Sequence, residues 1–301
     1  MTKYEALKKM VKGRWIENEM MAKHAWYQIR GPADLLVYPQ QVEDLQTVVK
    51  FCVENKIAFF VFANGTNLLI SDEGIRGVVL NLKEFAGFIQ SDRTRVTIGA
   101  STTVEQMTTY CEDRNLGGID FMSGIPGTIG GALRMNAGAF TGEIADKLLD
   151  IQAVRKEDGK KVTLSKTDIG FGYRKATGME KYIALSCRIE LQEEPRETIV
   201  DRRIDILKRR AEKQPLEYPS CGSVFKRPPG TYAGKLIEEA GMKGFRIGNA
   251  QIPLKHANFI LNLGGATARD VFSIIQETKR RVKEKSGIDL ECEVELVGNF
   301  N

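Results

Sequence analysis

Residues 123–138 read Ser-Gly-Ile-Pro-Gly-Thr-Ile-Gly-Gly-Ala-Leu-Arg-Met-Asn-Ala-Gly. The first nine positions hold five glycines or prolines, and no carboxylate occurs anywhere in the run. Glycine lets a backbone take positive φ and approach a ligand closely. Proline fixes one turn and removes one N–H, which selects the amides that face inward. Small residues, amides and the hydroxyls of Ser123 and Thr128, with no acid among them, suit a bound anion such as a pyrophosphate. A solvated glycine-rich surface loop is the competing reading. It leaves the apolar Ile129, Ala132, Leu133 and Met135 that follow without a purpose.

A second loop points the same way. The apolar run 57–62, Ile-Ala-Phe-Phe-Val-Phe, reads as a buried strand, and Asn64-Gly65-Thr66-Asn67 follows it before Leu68-Leu69-Ile70. A hairpin turned by Asn-Gly accounts for the spacing equally well. It does not account for two asparagines and a threonine crowded between two apolar segments.

At 301 residues the chain has room for two domains or three lobes. It is 42% hydrophobic and 28% charged, the balance of an ordinary globular protein. The net charge of +5 is too small for general nucleic-acid binding and compatible with an anionic small-molecule substrate. The N-terminus has no apolar core of signal-peptide type, and no run reaches membrane-spanning length. The five cysteines are scattered without a Cys-x-x-Cys, as expected of reduced thiols in the cytoplasm. Two histidines, His24 and His256, are too few for a His-rich metal site, so no metal is expected. A Rossmann fingerprint is missing, and Gly230-Thr-Tyr-Ala-Gly234-Lys235-Leu236 fails as a P-loop because no Ser or Thr follows the lysine.

Periodicity predicts a charged helical lead-in over 1–22, a strand over 34–38, an amphipathic helix over 42–53, and strands over 77–81 and 95–99. A helix over 103–115, a hairpin of 151–155 with 161–164 and a strand over 182–191 follow. Beyond a polar break at 193–197 come a charged helix (198–213), a short helix (234–240), a strand (257–262), a long helix (268–286) and a final strand (290–297).

Several spaced motifs, in this order, resemble one family, the compact type II subclass of the UDP-N-acetylenolpyruvoylglucosamine reductases (MurB). They are Gly65-Thr66-Asn67-Leu68-Leu69, the 124–131 run with Asn136-Ala137-Gly138, Gly172-Tyr173-Arg174, Cys221-Gly222-Ser223-Val224-Phe225-Lys226, Lys255-His256-Ala257-Asn258-Phe259 and Glu293-Val294. The resemblance implies an α+β chain with the two-lobed FAD-binding fold of the vanillyl-alcohol oxidase (PCMH) type and a C-terminal α+β substrate domain. The lobes are expected over 1–80 and 81–195, the substrate domain over 196–301.

It also implies noncovalent FAD with NADPH as hydride donor, reduction of a UDP-sugar enolpyruvyl ether for peptidoglycan synthesis, and a cytoplasmic monomer with no nucleic-acid or membrane partner. By motif, Ser223 is the expected proton donor, with Arg174 and Glu293 beside it in catalysis. Asn64, Gly65, Thr66, Asn67, Ser123, Gly124, Ile125, Pro126, Gly127, Thr128, Gly130, Gly131, Asn136 and Gly138 are expected at the cofactor. Tyr173, Lys226, Arg227 and Lys255 are expected at the substrate. Arg30, Arg227 and Asn249 depart from the usual family pattern. The departures at Arg30 and Asn249 suggest one alternative, a non-catalytic UDP-sugar-binding paralogue; a second is another FAD oxidoreductase of the same fold, against which the retained Ser223, Arg174 and Glu293 argue.

Overall fold

The protein is described by a computed structural model covering residues 4–85, 87–140 and 142–300. Helices and antiparallel sheets are mixed along the chain, which makes it α+β. It divides into two compact units. One comprises residues 1–17, 35–63 and 77–210, the other residues 18–34, 64–76 and 211–301.

The first unit has two apolar cores. In one, the helix Val42–Glu54 packs Leu45, Val48, Val49 and Cys52 against Leu35, Val37, Val78 and Leu80 of its sheet. That helix follows the predicted 3.6-residue period because its buried positions recur three and four residues apart. The sheet runs Arg14–Met20, Pro32–Tyr38, Ile75–Asn81, Phe59–Phe62, with the last two strands parallel. The other core lies beneath a five-stranded antiparallel sheet ordered Lys161–Ser165, Leu148–Arg155, Tyr182–Glu190, Arg95–Gly99, Ile89–Asp92. The hairpin expected around residues 157–159 joins its first two strands, Ala153 facing Val162.

The helix Arg196–Lys213 is strapped to this unit by ion pairs. Arg196 and Arg203 share Glu112, which is only 4% exposed, and Arg202 meets Asp120. Burial raises the Asp120 pKa, but Arg202 and two backbone N–H groups outweigh it and hold the carboxyl below its usual range.

The second unit is organised around the helix Ala268–Ser286, predicted to the residue. Val271, Ile274, Ile275 and Val282 of this helix bury against Leu236, Ile237, Ala250, Ile252 and Ile260. Its start is doubly capped. Thr267 and Asp270 form a capping box, and the Asp72 carboxylate accepts the N–H groups of Ala268 (2.9 Å) and Arg269 (3.0 Å).

Four expectations need correction. The lead-in helix spans only Glu5–Met10; Arg14–Met20 is an edge strand, where pairing to Pro32–Tyr38 overrides the charged helical pattern. The 103–115 helix stops at Glu112, and Asn115 sits in left-handed conformation (φ 58°). Of the expected strands at 257–262 and 290–297, only Leu261–Asn262 and Glu295–Val297 are regular. The Asn64–Gly65 turn makes no hairpin: Phe59–Phe62 pairs with Ile75–Asn81, while Leu68–Ile70 pairs with Glu295–Val297, both in parallel. Among the described residues no helix is long and apolar enough to cross a membrane.

Asp72→Ala removes the acceptor of two helix-terminal N–H groups, so stability should fall by about 1–2 kcal/mol and Tm by about 2–4 °C. A thermal melt checks this; an unchanged Tm would mean the capping box alone holds the helix start.

Candidate active site

In the second unit, Ser223, Val224, Phe225 and Lys226 form a short extended strip outside any regular strand. Its backbone still needs partners, because Val224 and Phe225 are 2% exposed. The Asn258 side chain brackets Phe225, its Oδ1 accepting the Phe225 N–H (3.0 Å) and its Nδ2 donating to the Phe225 carbonyl (2.9 Å). The Val224 N–H donates to the Asn258 carbonyl (2.9 Å). On the opposite side the Glu293 N–H donates to the Val224 carbonyl (2.8 Å) and the Lys226 N–H to the Glu291 carbonyl (2.9 Å). The strip that carries Ser223 is thereby bonded to the segment that carries Glu293, and both residues are half-buried.

The 64–67 loop joins this register. Asn67 Nδ2 donates to the Glu293 carbonyl (2.9 Å), and the Asn67 carbonyl accepts the Glu295 N–H (2.9 Å). Gly65 is buried at φ 58°, and its carbonyl accepts the Trp26 N–H (3.3 Å). The Cys221 thiol donates to the Leu68 carbonyl (3.0 Å), which fixes the approach to Ser223. Burial raises that thiol well above its ordinary pKa, so Cys221 serves as a neutral strut. His256 accepts the Asn258 N–H at Nδ1 (3.2 Å), and burial lowers its pKa, so it too acts neutral, ordering the turn.

In the first unit, Arg174 occupies a two-residue turn with Tyr173, flanked by the pairs Gly172–Lys175 and Phe171–Ala176. Its φ of 51° is left-handed, which costs an arginine about 1–3 kcal/mol and marks a position worth functional attention. The guanidinium lies 5.2 Å from the Tyr173 ring centre. The hairpin is tied to the glycine run through Asn136, itself left-handed (φ 45°) and fully buried. Asn136 Nδ2 donates to the Gly172 carbonyl (3.0 Å) and to Glu143 (2.6 Å), and its Oδ1 accepts the Ala145 N–H (3.3 Å). Its side chain is therefore occupied within the protein, where it holds this turn.

The glycine run itself divides. Gly124 and Gly127 have positive φ (75° and 120°), whereas Gly130 and Gly131 lie in the helix Ile129–Met135 and need no unusual conformation. The N–H groups of Ile129 and Gly130 donate to the carbonyls of Thr102 (2.9 Å) and Ala100 (2.8 Å). Thr128 caps Gly131 at 3.4 Å. Much of the expected amide cradle is thus spent on the protein. What remains fits a cofactor: Ser123 Oγ is buried without a hydrogen-bond partner, and a Cβ on Gly131 would meet only Thr128 Oγ1, at 3.7 Å.

The expected substrate residues carry protein contacts. Lys226 pairs with Glu291, Lys255 donates to the Ala211 carbonyl (2.7 Å), and Arg227 lies 4.1 Å over the Tyr232 ring. Tyr173 is exposed. Arg30 is exposed as well. Sequence reasoning assigned no structural part to Asn258, although its place in the Lys255–Phe259 motif was visible.

Residues 214–297 match the family model of the UDP-N-acetylenolpyruvoylglucosamine reductase C-terminal domain, and residues 33–165 match that of an FAD binding domain. A UDP-N-acetylenolpyruvoylglucosamine reductase of Listeria monocytogenes is 43% identical over 93% of this chain and 94% of its own length. The crystal structure of the Thermus caldophilus enzyme (MurB) superposes with a TM-score of 0.81 at 34% identity, covering 95% of this chain and 99% of that one. A VAO-type flavoprotein of Myceliophthora thermophila shares the fold alone, with a TM-score of 0.50 at 13% identity over 64% of this chain and 47% of its own. The fold expectation therefore holds, and neither alternative is favoured: the chain belongs to the UDP-N-acetylenolpyruvoylglucosamine reductase family, whose members are FAD-dependent oxidoreductases.

Proposed function

We propose that Ser223, Arg174 and Glu293 carry the family's reaction in this chain: NADPH-dependent reduction of the enolpyruvyl group of UDP-N-acetylglucosamine-enolpyruvate to UDP-N-acetylmuramate, for peptidoglycan synthesis. The observation that supports this most is the bonding of the strip that carries Ser223 to the segment that carries Glu293, and of that segment to Asn67 of the 64–67 loop. FAD, when bound, supplies hydride transfer from NADPH to carbon 3 of the enolpyruvyl group.

The remaining work falls to the chain. Hydride addition at carbon 3 leaves an enolate at carbon 2, basic enough to take a proton from the Ser223 hydroxyl despite serine's weak acidity. Arg174 offers two N–H groups to the adjacent carboxylate and spreads the developing charge. Glu293 acts on the same carboxylate, as a protonated hydrogen-bond donor or through an oriented water. Lys226, Arg227 and Lys255 bind the UDP diphosphate. The Lys226–Glu291 pair is surface-lying on its glutamate side and worth at most about 1 kcal/mol, so a diphosphate can exchange into it. Asn64, Thr66 and the 123–131 run contact FAD, while Asn67 and Asn136 hold the loops that do so. The segment from 196 onward supplies most of the substrate domain. The near-balanced charge speaks against general nucleic-acid binding and the five free thiols fit a reducing cytoplasm, where the chain is proposed to act as a monomer.

Ser223→Ala should separate the two half-reactions. NADPH should bleach the flavin at close to the wild-type rate, while reoxidation by the enolpyruvyl substrate slows by roughly 10²–10⁴-fold. Substrate affinity should change little, and Ser223→Cys should recover part of the rate. Stopped-flow absorbance at the flavin band reads both halves; equal slowing of both would make the serine structural.

Gly131→Val should leave a folded protein that has lost its flavin. Valine is a better helix former than glycine, and its branches enter the open space a Cβ would have. The equivalent change at Gly130 is less clean, because its Cβ would press on Ala100 at 3.2 Å. A folded, fully yellow Gly131→Val protein would remove this loop from the cofactor site.

Acid precipitation of the purified enzyme should leave a colourless pellet and a yellow supernatant. Neither histidine and none of the five cysteines lies in the 64–67 loop or the 123–138 run, so the expected cofactor loops offer no side chain for a covalent flavin link. A yellow pellet would contradict this.

A further inference from the structure

The helix Arg196–Lys213 carries five arginines and treats one of them differently. Arg196, Arg202, Arg203 and Arg209 each meet a carboxylate within 2.8 Å. Arg210 meets none among the described residues. Its Nε is buried without a hydrogen-bond partner, and its guanidinium lies 5.9 Å from the Phe140 ring centre. Burial, and then the charge of Arg174, push Arg210 below its ordinary pKa. A half-buried cation beside a second cation is stabilised when an anion joins them.

The neighbouring loop has the same deficiency. Ser123 is 1% exposed, and its hydroxyl has no partner. Gly124 follows at φ 75°, and a Cβ there would stand 2.8 Å from Arg210 Cδ and 2.9 Å from Leu207 Cδ2. The loop backbone therefore rests directly on the Arg210 side chain. Two buried donors on adjacent segments, with no partner among the described residues and with Arg174 near enough to be felt electrostatically, are placed to share one anionic acceptor.

We propose that Arg210 and Ser123 are an anion-binding pair that receives one anionic oxygen of a bound ligand, with Arg174 adding to the field. The ligand's identity rests on the reductase reading above. Under that reading an FAD pyrophosphate oxygen and the substrate carboxylate are the two sources of this chemistry.

The test uses the intact holoenzyme. Dilution with recovery of flavin fluorescence gives the FAD dissociation constant, and titration with the enolpyruvyl substrate, followed at the flavin band, gives the substrate constant. Arg210→Met, which keeps bulk and removes charge, should weaken one of these by about 10-fold or more, the worth of a charge-assisted hydrogen bond. Loss of FAD affinity assigns the oxygen to the cofactor, and loss of substrate affinity assigns it to the carboxylate. Ser123→Ala should weaken the same constant severalfold, and Arg210→Lys should retain more of it than Arg210→Met.

Both constants within twofold of wild type, with a lowered Tm, would make Arg210 a packing residue and overturn the proposal. Should Arg210→Met give no soluble protein, Arg210→Lys decides alone: the loss of the forked donor must shift one constant at least threefold, or the proposal fails. A wild-type protein that binds no flavin would instead overturn the reductase reading itself.

Discussion

The second unit depends on one constraint: the backbone around Ser223 is buried but belongs to no sheet. Its hydrogen bonds are supplied by irregular segments, the Asn258 side chain on one flank and the Glu291–Glu293 backbone on the other. An unpaired buried amide costs about 1–3 kcal/mol, so these contacts fix the strip in a single register. That register sets the strip that carries Ser223 beside the segment that carries Glu293, and Asn67 extends it to the 64–67 loop. The hydroxyl proposed as proton donor would gain rate from being held in one place, and here the positioning comes from ordinary backbone accounting.

The first unit solves the same problem with a different asparagine. Asn136 ends its helix in left-handed conformation and spends its side chain on Gly172, Glu143 and Ala145. The turn that carries Arg174 is thus anchored to the glycine run read as the cofactor loop. In both units a side-chain amide, with donor and acceptor on one planar group, replaces a missing strand. The same accounting exposes Ser123 and Arg210, where it does not close within the protein.

Much of the fold was legible. The helices Val42–Glu54 and Ala268–Ser286 and the hairpin about Asp158 follow from periodicity and turn chemistry, which act over a few residues. The misread segments share a cause. Arg14–Met20 is a strand because it is paired at a sheet edge, and residues 257–260 are irregular because Asn258 bonds across to Phe225. Both outcomes depend on partners distant in sequence. Of the site, Ser223, Arg174 and Glu293 were legible only as members of a spaced pattern, since each alone reads as a turn or surface residue.

The sequence by itself determined the anion-tolerant chemistry of residues 123–138, the family pattern and the type of most long elements, because these rest on composition and local spacing. Only the tertiary structure decided which polar groups are already satisfied. Gly130 and Gly131 amides, which no sequence rule marks as engaged, are bonded to Ala100 and Thr128; Asn67 and Asn136 are engaged with backbone; and Arg210, one arginine among five on a charged helix, is left with an Nε that has no partner among the described residues. Hydrogen-bond satisfaction is a property of three-dimensional neighbours, and no periodicity along the chain records it.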